Sequence, residues 1–284
     1  MRRRFHPAEA GMRIAFLLCG LVAIAFVLVI TLYLILAGLP GFGHIGFWDF
    51  LLGRVWDPAA GRFGILPFLL ASLYGAAGAI LLGAPVGLLC AVFLAKLAPP
   101  RLAAVLRPAV EVLAGIPSVV YGLVGMLVLV PAVRRWFRLP DGASLFAAIV
   151  VLAVMLLPSV IRVAETALRA VPPEYEAASL ALGATEIETV FRVSLPAASS
   201  GVAAAVILGV GRALGEAMAV LMVAGNGANM PGLFRSVRFL TTAVAGEMAY
   251  AAGLQREALF SIALVLFVFI LLINGALAAL LKGR

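Results

Sequence analysis

"EYEAASLALGATEIETVFRVSLP", Glu174 to Pro196, is a charged, glycine-broken segment between two long apolar runs. It carries four glutamates (Glu174, Glu176, Glu186, Glu188) and one cation, Arg192, in a chain that is 64% hydrophobic. Pro172 and Pro173 stop the helix before them and can begin a new one, because proline is tolerated in a first helical turn. Glu174 and Glu176 then fall near a helix N-terminus, where the helix dipole favours negative charge. Gly183 breaks that helix, and Thr185 followed three residues later by Glu188 has capping-box spacing for a second one. The expectation is a compact helix–turn–helix over 172–196. Leu180, Leu182, Ile187, Val190 and Phe191 cannot all be buried in so small a unit. A helix lying on a lipid surface usually turns a lysine- and arginine-rich face to anionic headgroups. This segment is net acidic, so a docking element for a soluble partner is the better reading.

The flanks set the class. Only 12% of residues are charged, against about a quarter in soluble domains. No charged side chain lies between Arg13 and Asp49, Arg62 and Lys96, Glu111 and Arg134, or Asp141 and Arg162. The same holds between Arg192 and Arg212, Glu216 and Arg235, and Glu257 and Lys282. A helix crosses the hydrocarbon layer with about 20 apolar residues. The intervals on either side of Arg212 and Glu216 are too close for two spans, so they merge into one that carries both charges. Six transmembrane helices follow, at 12–38, 66–96, 108–132, 144–169, 199–225 and 257–281. Runs this long fit helices rather than barrel strands. The fold class is all-α: a polytopic six-helix membrane bundle, one domain over 1–284.

The first apolar run follows "MRRRF", as a signal peptide would, but it far exceeds an h-region of about 7–15 residues and reads as a retained span. With both termini cytoplasmic, inner segments hold twelve Lys and Arg, including Arg2, Arg3, Arg4, Arg162 and Arg284, against eight outside. That bias favours this orientation and accounts for the net charge of +8 without nucleic acid. Cys19 and Cys90 both fall in spans, which leaves no disulfide framework. Two outer segments are long, 41–64 and 225–257, and the second is expected to hold a short helix within 238–252. His6 and His44 have no ligand partners at useful spacing.

The fifth span contains "GVGRALGEAMAV", 209–220. A charge at mid-membrane costs roughly 2.5–3.5 kcal/mol on insertion scales, so Arg212 and Glu216 need a reason. Their i, i+4 spacing allows a pair on one helix face, and Gly211 and Gly215 let another helix approach. The pair is either a structural lock or a pathway element, in which Arg212 offers a forked cation to a tetrahedral oxyanion. "GIPSVVYG", 115–122, puts Pro117 inside the third span, where a kink and a freed carbonyl are expected. The hydroxyls of Ser118 and Tyr121 either meet a passing anion or satisfy that carbonyl. Glu111 is expected to pair with Arg107 at i, i+4. Arg134, Arg135 and Arg138 are external positives that either draw an anion or contact an acidic receptor, or are a solvated loop end.

The stretch at 174–196 resembles the coupling motif of permease subunits of ABC importers: a Glu-Ala-Ala segment, a glycine and, thirteen residues on, the proline of "x-Leu-Pro". Glu176, Ala177, Ala178, Gly183, Val193, Leu195 and Pro196 take these positions, although the family's acidic residue falls at Ala177 and Glu176 precedes it by one. "GIPSVVYG", "GRALGEAMAV", "FWDFLLGRVWDPAAGRFG" and "GEMAYA" are together similar to the phosphate importer permeases, more to the PstC-type chain than the PstA-type. The resemblance implies a type I importer permease fold, with a first helix packed against the partner, in a bacterial inner membrane. It implies a second homologous permease, two ATP-binding subunits docked on 174–196 and an extracytoplasmic phosphate-binding protein. Arg212, Glu216, Ser118 and Tyr121 would line the substrate pathway. The chain has no Gly-x-x-x-x-Gly-Lys-Ser/Thr loop, so it is read as non-catalytic and cofactor-free, with ATP and Mg in the partner. The rival readings are an importer of phosphonate or sulfate, an ATP-independent secondary anion transporter, and a membrane enzyme, for which no nucleophile–base pair is visible.

Overall fold

The computed structural model describes residues 7–282, with side-chain surroundings over 11–279. Arg2, Arg3, Arg4, His6 and Arg284, which enter the sequence reading, lie outside these residues. The chain is helical almost throughout, in the order α1 (Pro7–Ile45), α2 (Phe47–Leu52), α3 (Leu66–Val92), α4 (Pro100–Gly115), α5 (Ser118–Val124), α6 (Val130–Trp136) and α7 (Leu145–Arg169). There follow α8 (Pro173–Ala181), α9 (Glu186–Thr189), α10 (Leu195–Ala197), α11 (Ser199–Gly215), α12 (Met218–Val223), α13 (Leu240–Glu247) and α14 (Gly253–Lys282). A small hairpin, β1 (Trp56–Asp57) with β2 (Arg62–Phe63), pairs antiparallel in the loop after α2. Single π turns extend α3 (Phe93–Leu97), join α5 to α6 (Gly125–Leu129) and follow α9 (Val190–Ser194).

Among the described residues five helices are long and apolar enough to span a bilayer: Gly11–Ile45, Leu66–Leu97, Ser118–Trp136, Leu145–Arg169 and Gly253–Ala279. The sixth crossing is α11, joined at 73° to the helical piece 186–197. Its 17 residues cover about 25 Å at ~1.5 Å per residue.

Two expected spans are corrected. Against the expected 108–132 for the third, Pro117 breaks the helix outright instead of kinking it. Ile116 and Pro117 are extended (ψ 127° and 143°), so α4 is a separate helix and the span begins at Ser118. Against the expected single helix over 199–225 for the fifth, α11 stops at Gly215. Glu216 is extended (ψ 127°), and α12 restarts two residues later.

The core is the packing of α3 on α7, made close by small residues. A Cβ on Gly83 would sit 2.8 Å from the Ala153 carbonyl oxygen and 2.5 Å from Leu156 Cδ1, so only glycine allows this approach. Around it Ala79, Leu152, Leu156, Val160 and Ala205 are buried. A second cluster lies where the 47–64 loop meets 225–259, with Phe50, Ile65, Phe68, Leu240 and Leu259 fully enclosed. Glu247 ties this end together. It accepts from Trp56 Nε1 (3.2 Å) and Gln255 Nε2 (3.0 Å) and pairs with Arg238. The short helix expected within 238–252 is α13. α1 rests on α14 through its last third, where Ser261 Oγ donates to the Gly38 carbonyl (2.7 Å) and His44 meets Glu257. Most of its remaining apolar surface is bare.

Candidate functional site

Arg212 sits in the last turn of α11, half-buried and, among the described residues, in no ion pair. The expected i, i+4 pair with Glu216 does not form, because the helix that would align them ends between them. The Glu216 carboxylate instead accepts from the Ala219 amide (3.1 Å) as a cap on α12. Its carbonyl accepts from Thr241 Oγ1 (2.8 Å), which anchors the break to α13. Glu216 is therefore spent on backbone geometry, and Arg212 keeps its five donors.

A cavity of about 640 Å³ opens between α7 and α11, lined by Ser159, Arg162, Thr166, Leu208 and Arg212 among others. A neighbouring recess shares Ser159 and Arg212 and adds Asn274 of α14. The Asn274 carboxamide packs over Gly211, with Oδ1 buried and without a partner among the described residues. Gly215, the other half of the small-residue step, has no neighbour within 4 Å.

The Pro117 break has its own closure. Leu113 is in the last turn of α4, where carbonyls lack helical partners, and Tyr121 Oη donates to its oxygen at 2.7 Å. The Tyr121 ring lines an apolar groove with Val120, Val124, Val128 and Trp136. Of the two alternatives for this hydroxyl, the carbonyl is the one it meets here. Ser118 begins α5, half-buried.

Below the bundle, 172–196 folds as the sequence indicates. Gly183 has φ +90° with open space around it, a conformation L-residues avoid. Thr185 and Glu188 form the reciprocal capping box. Ser179 Oγ and Thr189 Oγ1, 2.9 Å apart, close α8 onto α9. Leu182 is 90% exposed and Ile187 62%, while Tyr175, Leu180 and Phe191 are also exposed. Ala177, Ala178, Gly183 and Pro196 are on this open side, and Val193 and Leu195 are half-buried.

Glu176 turns the other way. Its Oε1 accepts from Lys96 Nζ (2.5 Å) and Ser194 Oγ (2.7 Å), linking α8 to the end of α3 and to the turn before α10. Partial burial raises its pKa, but the hydrogen bonds from Lys96 and Ser194 and the ammonium charge outweigh this, holding the carboxyl below the usual carboxylate range. The one-residue offset from the family's acidic position thus faces this side chain inward. A second clamp lies beside it: Glu165 of α7 accepts from Arg107 Nε (2.7 Å) and forms an ion pair with Arg169 (3.1 Å), and Arg107 Nη2 donates to the Leu94 carbonyl (2.9 Å). Arg107 is therefore taken by Glu165 and not by Glu111, which is exposed. The contacts that join separate elements in these nodes, Ser194 and Lys96 with Glu176, Arg107 with Glu165 and Trp56 with Glu247, link residues 18 to 191 apart and were not visible in the sequence.

Residues 83–284 match the family of binding-protein-dependent transport system inner membrane components. A Bacillus subtilis protein named "Probable ABC transporter permease protein YqgH" is 38% identical over 267 residues, 90% of this chain and 86% of that one. The phosphate transport system permease protein PstC of Haemophilus influenzae is 34% identical over 252 residues, 79% of this chain and 80% of that one. Among solved structures, a bacterial alginate ABC transporter in complex with an alginate-bound periplasmic protein aligns with TM-score 0.62 at 16% identity, over 96% of this chain and 94% of that one. The MetNI methionine ABC transporter aligns with TM-score 0.58 at 22% identity, over 81% and 99%. These two structures show the shared fold, that of type I importer permeases. The chain belongs to the family of binding-protein-dependent transport system inner membrane components.

Proposed function

We propose that this chain is the translocating permease subunit of an ATP-driven importer of inorganic phosphate. The observation that carries the reading is Arg212: a guanidinium within the bundle, with no acidic partner among the described residues, lining a cavity between two spans. Such a cation is costly in a membrane and, facing a cavity inside a bundle, marks an ion pathway by default, and its fork fits tetrahedral oxyanions. Relatives named as phosphate permeases at 32–34% identity support phosphate as that anion.

In this reading the exposed apolar face of 174–196 docks on an ATPase subunit, which supplies the hydrolysis; the chain itself is non-catalytic and binds no cofactor. The bare surface of α1 meets lipid and a homologous second permease. The 47–64 and 225–252 end receives an extracytoplasmic phosphate-binding protein, which puts both termini in the cytoplasm of a bacterial cell with an inner membrane. ATP-driven closure of the ATPase pair pushes the docking unit and rocks the two permease bundles about the pathway.

Uptake in membrane vesicles holding the whole importer, with phosphate, sulfate and phosphonate in competition, tests this. Phosphate alone competes, and only with ATP supplied. Equal competition by sulfate or phosphonate would move the substrate to another oxyanion, and uptake without ATP would return the secondary-transporter reading.

A further inference from the structure

We propose that Arg162 forms a second anion station, one step beyond Arg212 toward the docking unit, and that the translocated oxyanion passes from one guanidinium to the other. This rests on the pathway reading of Arg212 and extends it to a residue that positive-inside bias alone would explain as a topology signal.

Register places the two cations on one track. Val160 faces Gly209, and Ala167 faces Gly201, where a Cβ would lie 2.2 Å from the Ala167 Cβ. The helices α7 and α11 therefore run antiparallel, with Arg162 level with residues 206–207 of α11. That is about five residues below Arg212, or roughly 7 Å along the axis at ~1.5 Å per residue. Both guanidinium side chains line the same cavity, with Ser159 and Thr166 between and beyond them on one stripe of α7. Both hydroxyls already donate to carbonyls one turn back, to Leu156 (2.8 Å) and Arg162 (2.8 Å). Their remaining capacity is as acceptors, suited to a protonated phosphate oxygen. From Ala170 and Gly201 the cavity continues into a further recess that reaches Tyr175 of the docking unit.

Charge makes Arg162 available for this. Glu165 is the only acid on α7, and it is held by Arg107 and Arg169. Arg162 enters no ion pair among the described residues. Two uncompensated guanidinium groups about one turn and a half apart repel each other, and a shared or alternating dianion relieves that repulsion. An anion leaving Arg212 thus meets another cation before it meets bulk water, which lowers the barrier to exit without deepening the first site.

The chemistry recognised is a phosphate oxyanion, and a lipid headgroup offers the same group, so the test separates the two sources. The complete importer is reconstituted in liposomes as wild type, Arg162→Gln, Arg162→Lys and Arg212→Gln, and transport, ATP hydrolysis and subunit recovery are measured. The expected result for Arg162→Gln is transport reduced about tenfold to a hundredfold, the scale of a lost charge-assisted hydrogen bond. ATP hydrolysis and assembly stay at wild-type levels, so phosphate moved per ATP falls, and Arg162→Lys restores part of it. The defect is the same in phosphatidylcholine and in anionic-lipid liposomes. Wild-type transport by Arg162→Gln, beside a dead Arg212→Gln, would overturn the second station alone. A parallel fall in assembly and ATP hydrolysis would make Arg162 structural, and a defect confined to anionic lipid would make it a headgroup contact. No phosphate transport by wild type, or normal transport by Arg212→Gln, would overturn the pathway reading and this station with it.

Discussion

Lys96 Nζ and Glu176 Oε1 are 2.5 Å apart, across the joint between the last turn of the second span and the first turn of α8. Ser194 Oγ reaches the same oxygen at 2.7 Å, so one carboxylate gathers three chain segments. It is a positioning contact: Glu176 faces the bundle, while Ala177 and Ala178 beside it face outward.

Glu176→Gln, or Lys96→Met, is expected to loosen α8 from α3 while leaving α8 itself folded. Hydrogen exchange over 173–181 should speed up in the whole complex, and phosphate moved per ATP should fall. Exchange and stoichiometry both unchanged from wild type would remove Glu176 from the force path.

The same contact sets a pH dependence. The folded-state pKa of Glu176 lies below its unfolded value, through Lys96, Ser194 and the ammonium charge against the opposing effect of burial. Its stabilisation is therefore complete above the unfolded carboxylate pKa and is lost as pH falls through the folded one. Protease cleavage near Leu182–Ala184 should increase on the acid side of the ordinary carboxylate range and not between neutral and mildly alkaline pH. In Glu176→Gln that contribution to the acid sensitivity disappears.

Gly183→Leu places a side chain at φ +90°, costing about 1–2 kcal/mol for an L-residue in the left-handed region. A Cβ there meets no atom of the described residues within 4 Å, so the damage is expected at the partner. Co-purification of the ATPase subunits should drop while the permease pair stays intact. Undiminished recovery of the ATPase would count against 174–196 as its dock.

Glu247→Gln removes the charge shared by Trp56, Arg238 and Gln255. Hydrogen bonds to charged groups contribute about 1.5–3 kcal/mol each, and Arg238 would be left part-buried without its anion. The expected outcome is a lower Tm and a red shift of the emission contributed by Trp56, which is now 8% exposed. Unchanged emission would show that the two loops hold together without this node.

How much of this was legible in the sequence follows from range. The apolar runs gave the spans because each crossing is decided by its own residues. Pro172-Pro173, Gly183 and the Thr185–Glu188 box gave the helix–turn–helix over 172–196 because capping acts within four residues. The reading of Arg212 with Glu216 failed for a local reason: i, i+4 pairing presumes an unbroken helix, and α11 ends at Gly215. Pro117 was read as a kink, but Ile116 before it is also driven extended, and together they split a predicted span. Arg107 chose Glu165 over Glu111, and Glu176 chose Lys96, because packing of separate helices sets those distances. No spacing rule reaches that far.

Phosphate uptake by the assembled importer carrying Arg212→Gln tests the central claim most directly. The account predicts uptake lost by at least a hundredfold, the upper range for a charged hydrogen-bonding partner, with subunit assembly unchanged. Uptake at the wild-type rate would contradict it, because this half-buried cation would then be a structural charge and the pathway would lie elsewhere.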